Sequence, residues 1–104
     1  MFQCIKYSYT NGTPRKRQIK VSEDEILYCK TTTTWSCNTV ININSVKGVT
    51  YGPRTTTFNM VKECIPWLII SIITANRTYD LEFKTLNSLK HFISFLVAFN
   101  DKSG

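Results

Sequence analysis

The sequence predicts a mainly β fold, about seven short antiparallel strands curled into a barrel that one C-terminal α-helix caps. Three observations carry this. Apolar and polar residues alternate with period two through most of the chain, Gly, Pro and Asn punctuate the alternations, and the period lengthens to a helical one only after Phe83. A sheet with one apolar face needs a cover, and a single amphipathic helix supplies it if the sheet curls to leave one opening. At 104 residues the chain reads as one domain, 1–104, able to bury a core without disulfide staples.

Residues 2–9 alternate, with Ile5, Tyr7 and Tyr9 on one side and Lys6 and Ser8 on the other, so Lys6 is expected to point outward. Asn11-Gly12 marks a hairpin turn. Arg15 to Val21 is the partner strand, with Ile19 and Val21 inward, and Ser22-Glu23-Asp24-Glu25 is the next polar turn. Ile26 to Lys30 is a third strand, and Thr31 to Asn38 an extended connection. A further alternation runs from Val40 to Tyr51 and stops at Gly52-Pro53, where proline removes a ladder donor. Thr55 to Phe58 is expected to form a short strand. Trp67 to Thr74 is an apolar run of strand length, Asn76-Arg77 turns the chain, and Thr78 to Phe83 sets Tyr79, Leu81 and Phe83 against Asp80 and Glu82. Leu89, Phe92, Ile93, Leu96 and Phe99 then recur at three and four residues, a helix of three or four turns with Thr85 or Asn87 as its N-cap.

The formal charge of +6 favours acidic partners, and the cations cluster. Lys6, Arg15, Lys16, Arg17 and Lys20 fall in a stretch without an acidic residue, and Glu23, Asp24 and Glu25 follow it. Cys4, Cys29, Cys37 and Cys64 are too widely spaced for a C-x-x-C pair, and His91 is the single histidine, so free thiols are expected and no metal or other cofactor. His91 itself is read as a surface residue. No Ser-His-Asp set, Cys-His pair or pair of facing carboxylates can be assembled, which argues against an enzyme. The tryptophans Trp35 and Trp67 and the five tyrosines read as core, rim or packing residues rather than as base-stacking platforms, so no nucleic-acid partner is expected. The longest apolar stretch, Ile65 to Ile73, is interrupted by Pro66 and Ser71 and falls short of the ~20 residues a transmembrane helix needs. Met1-Phe2-Gln3-Cys4 leads straight into strand alternation without an export signal, so the two N-x-T matches, at Asn11 and Asn76, are read as turns and a cytoplasmic location is expected.

Specific residues add a resemblance. Ile43 to Thr55, with its Tyr51-Gly52-Pro53-Arg54-Thr55 turn, then Trp67-Leu68-Ile69-Ile70-Ser71-Ile72-Ile73, then Arg77-Thr78-Tyr79-Asp80-Leu81, resembles the phospholipase-C-delta type of pleckstrin homology (PH) domain. That pattern has a Gly-x-Arg-Thr turn, a Phe-Ser-Ile-like strand and an Arg/Asn-Thr-Leu-Asp-Leu strand before the helix, and the similarity spans residues 2–100. Phe92 occupies the position where the family's helix usually carries a tryptophan packed into the barrel. Members that bind phosphoinositides show a lysine on the first strand and a basic-x-Arg pair opening the second, matched by Lys6, Arg15 and Arg17. A second lysine found two positions on is Ser8 in this chain, and the loop tryptophan of the phospholipase members is missing. Tyr51-Gly52-Pro53-Arg54 and the rich Asn, Lys and Ile usage also resemble the acylated PH proteins of apicomplexan parasites, inner-membrane-complex sub-compartment proteins among them.

The resemblance implies a peripheral membrane module whose barrel mouth takes the acidic headgroup of a phosphoinositide or of phosphatidic acid, with Lys6, Arg15, Lys16, Arg17 and Lys30 as the site residues. The chemistry agrees, because guanidinium forks bind phosphate oxygens bidentately and lysine adds a point charge. The alternative is a protein-interaction scaffold with a degenerate lipid site, in which a groove beside the helix takes a peptide by strand addition.

Overall fold

A computed structural model describes residues 2–22, 25–29 and 37–103 of the chain. Lys30 and Trp35, both singled out above, and most of the acidic turn lie outside the described residues, as does the side chain of Phe99. Seven strands, β1 (Phe2–Tyr7), β2 (Pro14–Val21), β3 (Glu25–Cys29), β4 (Cys37–Asn42), β5 (Val46–Tyr51), β6 (Ile69–Thr74) and β7 (Thr78–Phe83), precede one helix, α1 (Leu86–Ser103). Every pairing is antiparallel, in the order β4-β3-β2-β1-β7-β6-β5. Ile19, Ile26 and Ile41 from one half of the sheet share a single core with Ile70, Ile72, Leu81 and Phe83 from the other, so the sheet is rolled up rather than flat. The expected mainly β architecture with a C-terminal helix is therefore the observed one.

Local chemistry sets the turns. Gly12 adopts φ 72°, and a Cβ there would lie 2.9 Å from the Met60 carbonyl oxygen, so both conformation and space require glycine. Thr74 N donates to Arg77 O (2.9 Å), closing the β6–β7 hairpin at the expected place. Thr85 is the helix N-cap, since Ser88 N donates to its Oγ1 (3.1 Å), whereas Asn87 lies inside the helix. The helix runs 18 residues, longer than the apolar periodicity alone predicts. Phe92 is fully buried, its ring centroid 5.1 Å from Phe83 and 5.7 Å from Phe2, and Leu89, Ile93 and Leu96 pack beside it. Burying such a ring contributes on the order of 2–3 kcal/mol through area alone.

Several expectations are corrected. Val40 to Tyr51 is two strands, because a 3-10 turn at Ile43–Ser45 bends the chain where Asn42 Oδ1 accepts from Asn44 N (2.9 Å). Thr55 to Phe58 is no strand; Thr56–Asn59 is a 3-10 turn. A third such turn, Pro66–Leu68, delays β6 from Trp67 to Ile69 and leaves Trp67 69% exposed, which rules out the core among the core, rim or packing places expected for it.

The largest correction concerns faces. The register places Cys4 opposite Phe83, and Lys6 opposite Leu81, so Phe2, Cys4 and Lys6 share the inner row, while Ile5 and Tyr7 lie on the outer row. The outer face is covered as well, because the 52–68 connection folds across it. Phe58 packs edge-on against Tyr7 (5.5 Å), Tyr7 Oη donates to Glu82 Oε1 (3.0 Å), and Ile65 N donates to the same oxygen (2.9 Å). Asp80, on the face opposite Tyr79, Leu81 and Phe83 as the alternation predicts, is nevertheless fully buried under this connection, with its Oδ1 accepting from Thr55 Oγ1 (2.6 Å) and Ser71 Oγ (2.8 Å).

Candidate functional site

The antiparallel pairing of β1 and β2 sets Lys6 directly opposite Arg15, and Cys4 opposite Arg17. Cross-strand partners project to the same face. Lys6, Arg15 and Arg17 therefore occupy one inner row that runs from the buried Ile19 toward the β1–β2 connection. Lys6 joins the row from the parity opposite to the expected one, which brings it closer to the arginines rather than removing it. Arg15 is exposed, and Arg17, half-buried, donates from Nη1 to Lys16 O (2.8 Å).

Lys16 is not part of that row. It pairs with Ile5 on the outer face and borders a groove of about 640 Å³ shared with Ile65, Leu68, Glu82 and Lys84, which Arg17 also reaches. Lys30, the fifth expected site residue, falls outside the described residues. The structure thus brings together three of the expected cations and separates one.

Arg77, expected in the Asn76-Arg77 turn and as the first residue of the Arg77-Thr78-Tyr79-Asp80-Leu81 motif, was given no binding role. Its guanidinium carbon lies 4.5 Å from the Tyr79 ring centroid and 5.2 Å from that of Tyr9, a stacked position at the end of the barrel where the β1–β2 and β6–β7 connections meet. The signal available in the sequence was the Arg77-x-Tyr79 spacing, since alternate residues of a strand share a face and an arginine there reaches the neighbouring ring.

Below the row, Cys4 is inert. Burial, only partly offset by the positive charge of Arg17, pushes its thiol up to about 12. Burial and the proximity of Glu82 likewise raise the Cys64 thiol, and burial together with the Glu82 hydrogen bond raises the Tyr7 phenol. Nucleophilic chemistry at neutral pH gains nothing from these groups. His91 is exposed on the helix as expected, and among the described residues no cluster of His, Cys, Asp or Glu is placed to hold a metal.

The architecture matches a solved structure. The N-terminal PH domain of human ARAP2, determined in solution, superposes with a TM-score of 0.69 over 97% of this chain and 78% of that one, at 16% sequence identity. The fold is that of a PH domain. No protein-family model matches the chain, and no curated protein matches it by sequence. Among the described residues no helix is long and apolar enough to cross a membrane.

Proposed function

We propose that this PH-like domain is a non-enzymatic membrane-targeting module that docks on acidic phospholipid through the inner basic row of β1 and β2. The observation that carries the reading is the direct pairing of Lys6 with Arg15, with Arg17 next in the same row. Two guanidinium groups and an ammonium on one rim match a phosphomonoester, the chemistry shared by phosphoinositides and phosphatidic acid. Near an anionic leaflet each cation contributes on the order of 1 kcal/mol, which gives reversible docking and a peripheral location. The net charge of +6 acts in the same direction at longer range.

Fine recognition is expected to be loose. Ser8 stands where a second lysine would extend the row; its hydroxyl is engaged with Thr10 Oγ1 (2.8 Å). Phosphatidic acid and phosphoinositides are therefore bound in preference to phosphatidylserine, with little separation of phosphoinositide isomers. Liposome co-sedimentation across these lipids at physiological ionic strength, where exposed charges are screened beyond about 8 Å, is the test. Binding to phosphatidylserine as strong as to phosphatidic acid at equal surface charge would reduce the row to diffuse attraction. The phospholipase-C-delta-like character and the kinship with acylated apicomplexan PH proteins belong to this reading and rest on the sequence motifs.

One feature favours a second reading, the protein scaffold. β5 is an edge strand of the sheet, so one side of its backbone is available for strand addition by a peptide. Retained liposome binding after loss of Lys6, Arg15 and Arg17 would shift the weight to that edge.

A further inference from the structure

The groove of about 640 Å³ that Lys16 borders lies on the outer wall of the barrel and has no part in the lipid reading. Ile5 of β1, with Ile65 and Leu68 of the 52–68 connection, gives it an apolar floor. Ile5 pairs with Lys16 on one side and with Glu82 on the other, and Lys84 follows two residues beyond Glu82. Lys16 and Lys84 both line the groove, so an ammonium stands on either side of Ile5. Two strand spacings across and two residues along put their Cα atoms roughly 12 Å apart. Both side chains are exposed, and among the described residues neither has a hydrogen bond or ion pair. With Arg17, which reaches the groove from the inner row, the described lining carries three cations against one carboxylate, Glu82. That carboxylate is already engaged, its Oε1 accepting from Tyr7 Oη (3.0 Å) and Ile65 N (2.9 Å). Trp67, between Ile65 and Leu68 in the chain, is 69% exposed, the kind of aromatic that anchors protein partners.

We propose that this groove docks an extended acidic segment of a partner protein, patterned acidic-x-apolar-x-acidic, with its carboxylates on Lys16 and Lys84 and its apolar side chain on Ile5, Ile65 and Leu68. In an extended chain residues i and i+4 stand about 13 Å apart and share a face with i+2, which matches the two lysines and the floor between them. The central residue is uncharged, because Glu82 stands beside Ile5. A fatty acid has a single carboxylate and reaches one lysine only. β2, β1 and β7 are interior strands of the sheet, so side chains select the segment and main-chain pairing does not, unlike strand addition at β5.

Titration of the ¹⁵N-labelled full chain with the capped peptide Ser-Glu-Ser-Leu-Ser-Glu-Ser tests this. Saturable shifts are expected at the Ile5, Lys16, Ile65 and Lys84 amides. Exchanging the leucine of the peptide for serine, at equal charge, should weaken binding on the order of tenfold. K16E and K84E should each weaken it to a similar extent at an unchanged Tm, and a peptide with lysines in place of its glutamates should bind K16E/K84E better than wild type. R15A should leave the peptide affinity unchanged while weakening binding to phosphatidic-acid liposomes, which separates this site from the lipid row. Absence of saturable shifts overturns the proposal, as do equal binding of the leucine and serine peptides or an affinity indifferent to both lysine variants. Displacement of the peptide by an equimolar amount of laurate overturns it too, since the groove would then need only one carboxylate. Should the lysine variants fail to fold, the comparison of the two peptides on the wild-type chain decides.

Discussion

Cys4 sits between the basic row and the aromatic cluster, and its chemistry gives a pH dependence that can be measured. With the folded thiol raised to about 12 from an ordinary value of 9.0, the unfolded chain loses its proton first. Stability is thus full below pH 9 and falls between pH 9 and 12, by about 1.4 kcal/mol per pH unit from this group. Tyr7 and Cys64, also raised, act with the same sign. Denaturant melts of Cys4→Ala between pH 8 and 11 should show a flatter alkaline limb than wild type, and an identical limb would contradict the burial. Phe92 carries the simpler prediction. Replacing it by Ala should cost about 3–5 kcal/mol, because the Phe2, Phe83 and Phe92 rings meet around it; a loss below about 1 kcal/mol would place the ring in solvent. Phe92 was legible from helical spacing. The orientation of Lys6 was not, since Ile5 and Tyr7 are apolar on a face that a distant loop covers, and alternation cannot say which of two covered faces is the inner one.

Among the elements, the β6–β7 hairpin and the helix could be read directly, because their alternation and their 3.6-residue period are driven by contacts with one core. The 3-10 turns at residues 43–45, 56–59 and 66–68 could not, because each is set by local polar bonds or by Pro66 within runs whose side chains still suit a strand. The 52–68 connection matters most, as it converts an outer face into a second packed layer pinned by Thr55 and Asp80. Removing the pin with Thr55→Val should destabilise the domain by about 1–3 kcal/mol and raise hydrogen exchange in residues 54–60 ahead of global unfolding. Exchange that stays uniform would mean that the connection holds without it. At the helix start, Thr85→Ala should cost about 0.5–2 kcal/mol in thermal or urea unfolding, for loss of the bond to Ser88 N.

For the molecule as a whole, the mainly β class and the terminal helix were legible because local periodicity encodes them, while the strand count of seven agreed only because splitting Val40–Tyr51 offset the loss of Thr55–Phe58, and sheet order rests on long-range pairing such as β1 with β7 that no local pattern states. The candidate site was legible as a charge cluster. Its geometry was not, because whether Lys6, Arg15 and Lys16 share a face depends on the register of β1 against β2. That register underlies the central claim, that Lys6, Arg15 and Arg17 act together on one acidic headgroup while Lys16 does not. The most direct measurement is co-sedimentation with phosphatidylcholine liposomes containing phosphatidic acid at physiological ionic strength, comparing wild type, R15A/R17A and K16A. With each rim cation contributing about 1 kcal/mol, R15A/R17A should bind some 30-fold more weakly, and K16A within about threefold of wild type, all at an unchanged Tm. Equal losses for K16A and R15A/R17A, or undiminished binding of R15A/R17A, would contradict the account.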